Sequence, residues 1–351
     1  MVRSSPVDGF RLAYEREGSG SPVVLLHGWP GDRSDYREVM PLLSASADVV
    51  VPDLRGFGGS DKHAEDPARV YSAEAQARSV TGLLAELGLR AAVIAGYDIG
   101  SRVAQTIARI SPELDRAIAL SPPLPGAGDR VLSAHAQREF WYQAFHQLDV
   151  ADQIIDGDRS AVRAYLGYFW SHWSGPAYRQ PEADLDRLVD VYGAPGAFTV
   201  SIGWYRAGSG AVARSLSETA PQPDDRIAVP ATILWPELDP LFPYHWSDRL
   251  GEFFSDATLH PLPGIGHFSP LEAPERFRQQ SATRSTPAKH GTEQEAWDTR
   301  APGRSVARDA DDVARVDQVG VRNRVRVRCD QAVVEIPRPV MRCGDSPQRL
   351  A

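Results

Sequence analysis

With 351 residues, 42% of them hydrophobic and 24% charged, the chain has the make-up of a soluble globular protein long enough for a large core. A formal net charge of −8 argues against a nucleic-acid surface, and the only cysteines, Cys329 and Cys343, exclude a disulfide framework and a cysteine metal site. Met1-Val2-Arg3-Ser4-Ser5-Pro6 holds no apolar run of signal-peptide length and no segment is long enough to span a membrane, so a cytoplasmic protein is expected, free of membrane and nucleic acid and with its oligomeric state open.

In chain order, Phe10-Arg11-Leu12-Ala13-Tyr14-Glu15 alternates as a strand with one exposed face. Pro22-Val23-Val24-Leu25-Leu26 is a continuous apolar run, as a parallel strand buried on both faces requires, and it ends in His27-Gly28-Trp29-Pro30-Gly31. Val49-Val50-Val51 leads into the glycine-rich loop Asp53-Leu54-Arg55-Gly56-Phe57-Gly58-Gly59-Ser60. Ser72 caps a helix whose buried stripe is Val80, Leu83, Leu84 and Leu87, and Gly88 stops it. Ala92-Val93-Ile94-Ala95 then enters Gly96-Tyr97-Asp98-Ile99-Gly100 and a helix with Val103, Ala104, Ile107 and Ile110 on one face. Arg116–Leu120 follows as a strand. This alternation predicts an α/β fold with a mainly parallel sheet and right-handed crossovers.

The pattern breaks over residues 122–227, where aromatic-rich helical stretches carry Phe140, Trp141, Tyr142, Phe145, Tyr165, Phe169, Trp170 and Trp173. We read them as a helical cap inserted between core segments 1–121 and 228–280. The sheet resumes at Val229–Trp235 and Ala257–His260, and the loops with Asp239 and His267 leave the C-terminal ends of those strands, the edge where ligands bind in open parallel sheets. Residues 281–351 are Pro-, Gly-, Arg- and Asp-rich with little periodicity, which predicts a mostly disordered tail; its one alternating run, Val325-Arg326-Val327-Arg328, stands isolated. Gly56-x-Gly58 lacks the spacing of a nucleotide fingerprint, and no Gly-Lys-Ser/Thr follows Gly96. Neither a cofactor nor a metal is expected.

Gly96-Tyr97-Asp98-Ile99-Gly100 has the layout of a nucleophile elbow, with aspartate where serine is usual. A serine needs a base to deprotonate it and attacks acyl carbon. An ionised carboxylate needs none and can displace a leaving group from saturated carbon, forming an alkyl ester. A loop histidine alone is more often structural than catalytic, and Asp239 alone would be an ordinary turn residue. In the order Asp98, Asp239, His267, each at a strand end, they form a nucleophile–acid–base set. The backbone N–H groups of Trp29 and Ile99 are then the expected oxyanion donors, and His27 is expected to be structural.

Residues 8–280 resemble the α/β-hydrolase superfamily, and within its aspartate-nucleophile branch the epoxide hydrolases, at His27-Gly28-Trp29-Pro30, Arg55–Ser60, Gly96–Gly100, Gly266-His267-Phe268 with Glu272-Ala273-Pro274-Glu275, and in the cap at Trp141–Gln147 and Trp204-Tyr205-Arg206. That resemblance implies hydrolysis of an epoxide by water to a vicinal diol, with Tyr142 and Tyr205 directed at the epoxide oxygen. A phenol of pKa about 10 is protonated at neutral pH yet far more acidic than an alcohol, which suits it to that oxygen. Trp29, Trp141 and Phe145 are the aromatic side chains expected to hold a small apolar substrate.

Dehalogenases of the same fold are the alternative. Haloalkane dehalogenases place tryptophan after the nucleophile, where this chain has Ile99, whereas haloacetate dehalogenases use arginines there to hold the substrate carboxylate, and Arg102 fits one such position. A hydrolase-fold protein that binds a small ligand without turnover is a third reading. For the tail, a chain ending at residue 282 should match the full chain in unfolding midpoint and activity; a loss of either counts against a dispensable tail.

Overall fold

The apolar runs of the sequence lie side by side in one sheet. The computed structural model describes residues 2–282, together with Arg328–Cys329 and Ala332–Val333. These last two strands pair antiparallel within a separate C-terminal unit, and the expected disorder of the tail otherwise concerns residues outside the described ones. In the first unit β1 (Val2–Arg3), β2 (Ala13–Gly18), β3 (Ser21–Leu26), β4 (Ala47–Pro52), β5 (Ala92–Gly96), β6 (Asp115–Leu120), β7 (Ala231–Pro236) and β8 (Ala257–Leu262) make a sheet in the order β1-β2-β4-β3-β5-β6-β7-β8. Pairing is parallel from β4 through β3 to β8 and antiparallel at β1–β2 and β2–β4. Every residue of β4, β5 and β7 is buried, which is why their sequences are continuous apolar runs rather than alternations.

Two expectations are corrected. The first long strand spans Ala13–Gly18, not Phe10–Glu15, because side chains take the backbone donors that precede it. Arg11 N–H donates to Asp61 Oδ2 at 2.7 Å, Leu12 N–H to Ser4 Oγ at 2.9 Å and Ala13 N–H to Ser60 Oγ at 2.9 Å. The last helix, Pro274–Ala282, also runs two residues past the core boundary expected at residue 280. Its buried Phe277 packs against Tyr36 with ring centroids 5.6 Å apart, and Ser281 Oγ donates back to the Phe277 carbonyl.

Strands β6 and β7 are adjacent and parallel, with Ile118 opposite Ala231, so the long helical stretch between them leaves and re-enters the sheet between two neighbours. It is fastened to the loop after β3. Trp170 Nε1–H donates to the Pro30 carbonyl, Tyr192 O–H donates to the Gly31 carbonyl at 2.7 Å, and Arg187 pairs with Asp32. Among the described residues no helix is long and apolar enough to cross a membrane.

The helix Ile99–Ile110 lies against β3 and β5 with almost no space between the backbones. A Cβ on Gly100 would sit 1.9 Å from the Leu26 carbonyl oxygen, and one on Gly96 would sit 2.4 Å from the Gly100 carbonyl carbon. Neither obstacle is a flexible side-chain end, so neither can yield cheaply. Gly100→Ala should therefore lower the unfolding free energy by about 3 kcal/mol, the upper end for overpacking, read as a drop in the urea midpoint. An unchanged midpoint would refute the packing argument.

Candidate active site

The site is built on the turn from β5 into the helix Ile99–Ile110. Asp98 sits at that turn with φ 50° and ψ −123°, a conformation that costs a non-glycine residue about 1–3 kcal/mol. The backbone around it holds it there. Asp98 N–H donates to the Pro122 carbonyl at 2.8 Å, and its carbonyl accepts from Ser101 N–H at 3.1 Å. The loop after β3 comes equally close: a Cβ on Gly28 would lie 2.5 Å from Asp98 Cβ. That approach delivers Trp29 N–H to Asp98 Oδ1 at 2.8 Å. Ile99 opens the helix, where backbone N–H groups have no intrahelical acceptor and the helix dipole favours negative charge.

The loops after β7 and β8 bring the other two members. Asp239 Oδ1 accepts from Leu241 N–H at 2.9 Å, leaving Oδ2 to meet His267 Nδ1, also at 2.9 Å. His267 Nε2 lies 3.4 Å from Asp98 Oδ2, an ion-pair contact rather than a hydrogen bond. Burial opposes charge on the imidazole, but Asp239 and then Asp98 outweigh it and raise its pKa to about 10. The resting site therefore holds an imidazolium between two carboxylates. Its loop is fixed at both ends: His267 N–H donates to the Trp173 carbonyl at 2.8 Å, and the Glu272 carboxylate gathers Gly175, Gly266 and Phe268 N–H. Burial pushes the Glu272 carboxyl up, against the pull of those three donors.

Tyr142 and Tyr205 close the site from the helical layer. The Trp29 indole lies parallel to the Tyr142 ring at 5.6 Å between centroids and edge-on to Tyr205 at 5.9 Å, while the two phenol rings stand 5.5 Å apart. Both are buried, and burial raises both phenol pKa values, aided by the Asp98 carboxylate. Both stay protonated at any physiological pH. Asp98 itself is buried, at 6% exposure.

The structure brings together Asp98, Asp239, His267, Tyr142, Tyr205, Trp29 and Ile99. It does not bring Trp141 and Phe145 with them. Trp141 is 39% exposed and stacks on Phe169, and Phe145 packs beside it and Tyr165. In the short helix Trp141–Phe145 positions 141 and 145 share a face, and Tyr142 takes the buried one. The rings that line the interior are instead Phe169 and Trp173; Trp173 lies 5.2 Å from both Tyr142 and His267. Their signal in the sequence is a spacing of four, Tyr165, Phe169, Trp173, along the helix Arg159–Trp173.

Two residues left open by the sequence have defined places. Arg102 is buried, with Nη1 on Glu218 Oε1 at 3.0 Å and Nη2 on the Leu124 carbonyl at 3.1 Å. Its charge is spent on the fold. His27 Nε2 accepts from Leu54 N–H at 3.0 Å, so its proton is on Nδ1, which faces the Gly28 carbonyl at 2.9 Å; burial holds the ring neutral. Among the described residues no group of three or more His, Cys, Asp or Glu is placed to hold a metal ion.

A family profile described as alpha/beta hydrolase fold matches residues 21–274. A soluble epoxide hydrolase of Corynebacterium sp. (strain C12) is 29% identical over 235 residues, covering 65% of this chain and 78% of that protein. A fluoroacetate dehalogenase of Burkholderia sp. is 28% identical over 195 residues, 54% of this chain and 64% of the relative. The crystal structure of a Bacillus megaterium epoxide hydrolase superposes with a TM-score of 0.68 over 80% of this chain and 98% of that one; at 19% identity this is a likeness of fold alone.

The raised pKa of His267 has a thermodynamic counterpart. Its folded value of about 10 exceeds the ordinary 6.5, so the imidazolium contributes stability in full below pH 6.5 and loses it as pH rises through 10. The stability gap between the wild type and His267→Gln, from urea unfolding across that range, should narrow with rising pH. A flat gap would count against an imidazolium in the resting site.

Proposed function

The chain belongs to the alpha/beta hydrolase fold family, and within it we propose that this protein is an epoxide hydrolase, acting in the cytoplasm on a small apolar epoxide and water. The observation that carries this reading is that the buried Asp98 carboxylate lies near enough to two buried, protonated phenols, Tyr142 and Tyr205, to help raise the pKa of each. A strained ether needs that pairing: a nucleophile for carbon on one side and an acid for oxygen on the other.

The first step forms a bond from an Asp98 carboxylate oxygen to an epoxide carbon while the ring C–O bond breaks. The departing oxygen takes a proton from a tyrosine, assistance of a kind typically worth about 10²–10⁴-fold. The charge left on the phenol oxygen is matched by the His267 imidazolium, whose proton makes good the phenol. Esterification removes the Asp98 charge, one of the two that raise the His267 pKa, so the imidazole that results is suited to act as a base.

In the second step neutral His267 takes a proton from water, and the hydroxide attacks the Asp98 ester carbon. Trp29 N–H, and Ile99 N–H at the helix start, receive the developing oxyanion, each donor contributing about 3–4 kcal/mol. Collapse expels the diol oxygen, which takes the proton of the tetrahedral hydroxyl. Carboxylate and imidazolium are thereby restored, and the cycle closes on the state it began from.

The haloalkane dehalogenase reading lacks its tryptophan, since Ile99 follows Asp98, and the haloacetate reading needs a cation for the substrate carboxylate. Arg102, the residue available for it by sequence, is held by Glu218 and Leu124 instead. A binding protein without turnover has no use for the Asp98–His267–Asp239 set.

His267→Gln should trap the ester. Incubated with styrene oxide, its Asp98 peptide should gain the mass of one epoxide, and fluoroacetate should leave it unmodified; capture from fluoroacetate, or from neither, overturns the assignment. Tyr142→Phe combined with Tyr205→Phe should lower epoxide turnover at least 100-fold by the same acid-catalysis estimate. Near-normal rates in that double variant would remove the tyrosines from the reaction.

A further inference from the structure

Tyr142 and Tyr205 are alike in burial, but their oxygens are not alike in their partners. Gln143, which follows Tyr142, is itself buried at 7% exposure and turns its carboxamide back onto the phenol. Its Nε2 lies 3.1 Å from the Tyr142 hydroxyl oxygen, and its Oε1 lies 3.0 Å from Val212 N–H. A backbone N–H can only donate, so the amide end facing Val212 is the oxygen and the end facing Tyr142 is the NH₂. The contact with Tyr142 therefore has one sense: the amide donates and the phenol oxygen accepts. Gly210 permits the lock, since a Cβ there would come within 2.8 Å of Gln143 Oε1 and 3.0 Å of the Tyr205 ring.

An amide nitrogen offers no lone pair, so the Tyr142 proton cannot lie along that line and must point elsewhere. With the amide donor on its oxygen, Tyr142 is the phenol whose own proton is turned away from Gln143 and whose conjugate base that donor stabilises. We propose that Gln143 is a positioning residue that makes Tyr142, rather than Tyr205, the proton donor in ring opening, by directing the Tyr142 proton at the substrate oxygen and holding the phenolate that forms. This rests on the epoxide hydrolase reading given above.

The side chain at 143 also borders a cavity of about 330 Å³ shared with Phe140, Ala144, Gln147 and Val212, so changes of similar length have room. Gln143→Met keeps the length and loses the donor. Gln143→Glu keeps the acceptor for Val212 N–H and turns an acceptor toward Tyr142, which would then donate to it.

The test is the single-turnover rate of ester formation from styrene oxide on the full chain, followed by quenching and mass measurement. Gln143→Met should slow ester formation about 10- to 100-fold, the range for a hydrogen bond to a charged oxygen, and Gln143→Glu should slow it more. The styrene oxide concentration for half-saturation and the rate of ester hydrolysis should not change. In a Tyr142→Phe background Gln143→Met should cost nothing further, whereas in a Tyr205→Phe background it should cost as much as in the wild type. A wild-type rate in Gln143→Met, or an equal loss in the Tyr142→Phe background, overturns the inference and leaves the hydrolase reading standing. A wild-type chain that opens no epoxide overturns the reaction assignment itself, and this inference with it.

Discussion

The architecture depends on one close contact, the hydrogen bond from Trp29 N–H to Asp98. It forms only because two backbone segments meet nearly in contact, with Gly28 and Gly100 leaving no side chain between them. The same approach fixes Asp98 in its strained conformation, since relaxing φ would swing the carboxylate away from Trp29. Packing of the buried sheet against the helix Ile99–Ile110 thus holds reactive geometry in place, as such strained positions require. Trp29 then serves twice, because its N–H faces the nucleophile and its ring is the surface on which Tyr142 and Tyr205 are set.

Charge balance ties the histidine to this arrangement. Two carboxylates around one buried imidazole make a resting ion cluster with net charge −1 when the ring is protonated. In the proposed reaction, esterification of Asp98 would take away one of those negative charges and with it part of the support for the imidazolium. On that proposal one side chain serves as counter-ion in one half of the reaction and as base in the other.

Much of this was legible in the sequence because it is written locally. Val23–Leu26, Val49–Val51 and Ala92–Ala95 announce buried strands by continuous apolarity, and Gly96-x-Asp98-x-Gly100 announces a tight turn by its spacing. What was misread depends on distant partners. The start of β2 is set by Ser4, Ser60 and Asp61, which no local pattern around Phe10 contains. Arg102 looked available because its partner Glu218 lies 116 residues away. Trp141 and Phe145 were assigned inward because aromatic content signals burial, but a helix as short as Trp141–Phe145 fixes no phase from sequence alone. Glu272 was visible as part of a motif, and its use as an acceptor for three backbone donors was not.

That use of Glu272 bears on how material enters and leaves. Its carboxylate joins the His267 loop to Gly175, just past the helix Arg159–Trp173, and the Trp173 carbonyl holds the His267 N–H directly. Along this edge the helical layer and the base share their hydrogen bonds. Any motion that lifted the helices here like a hinged lid would strip His267 of its support in the same stroke. The layer is therefore anchored along this margin by the same hydrogen bonds that hold the His267 loop.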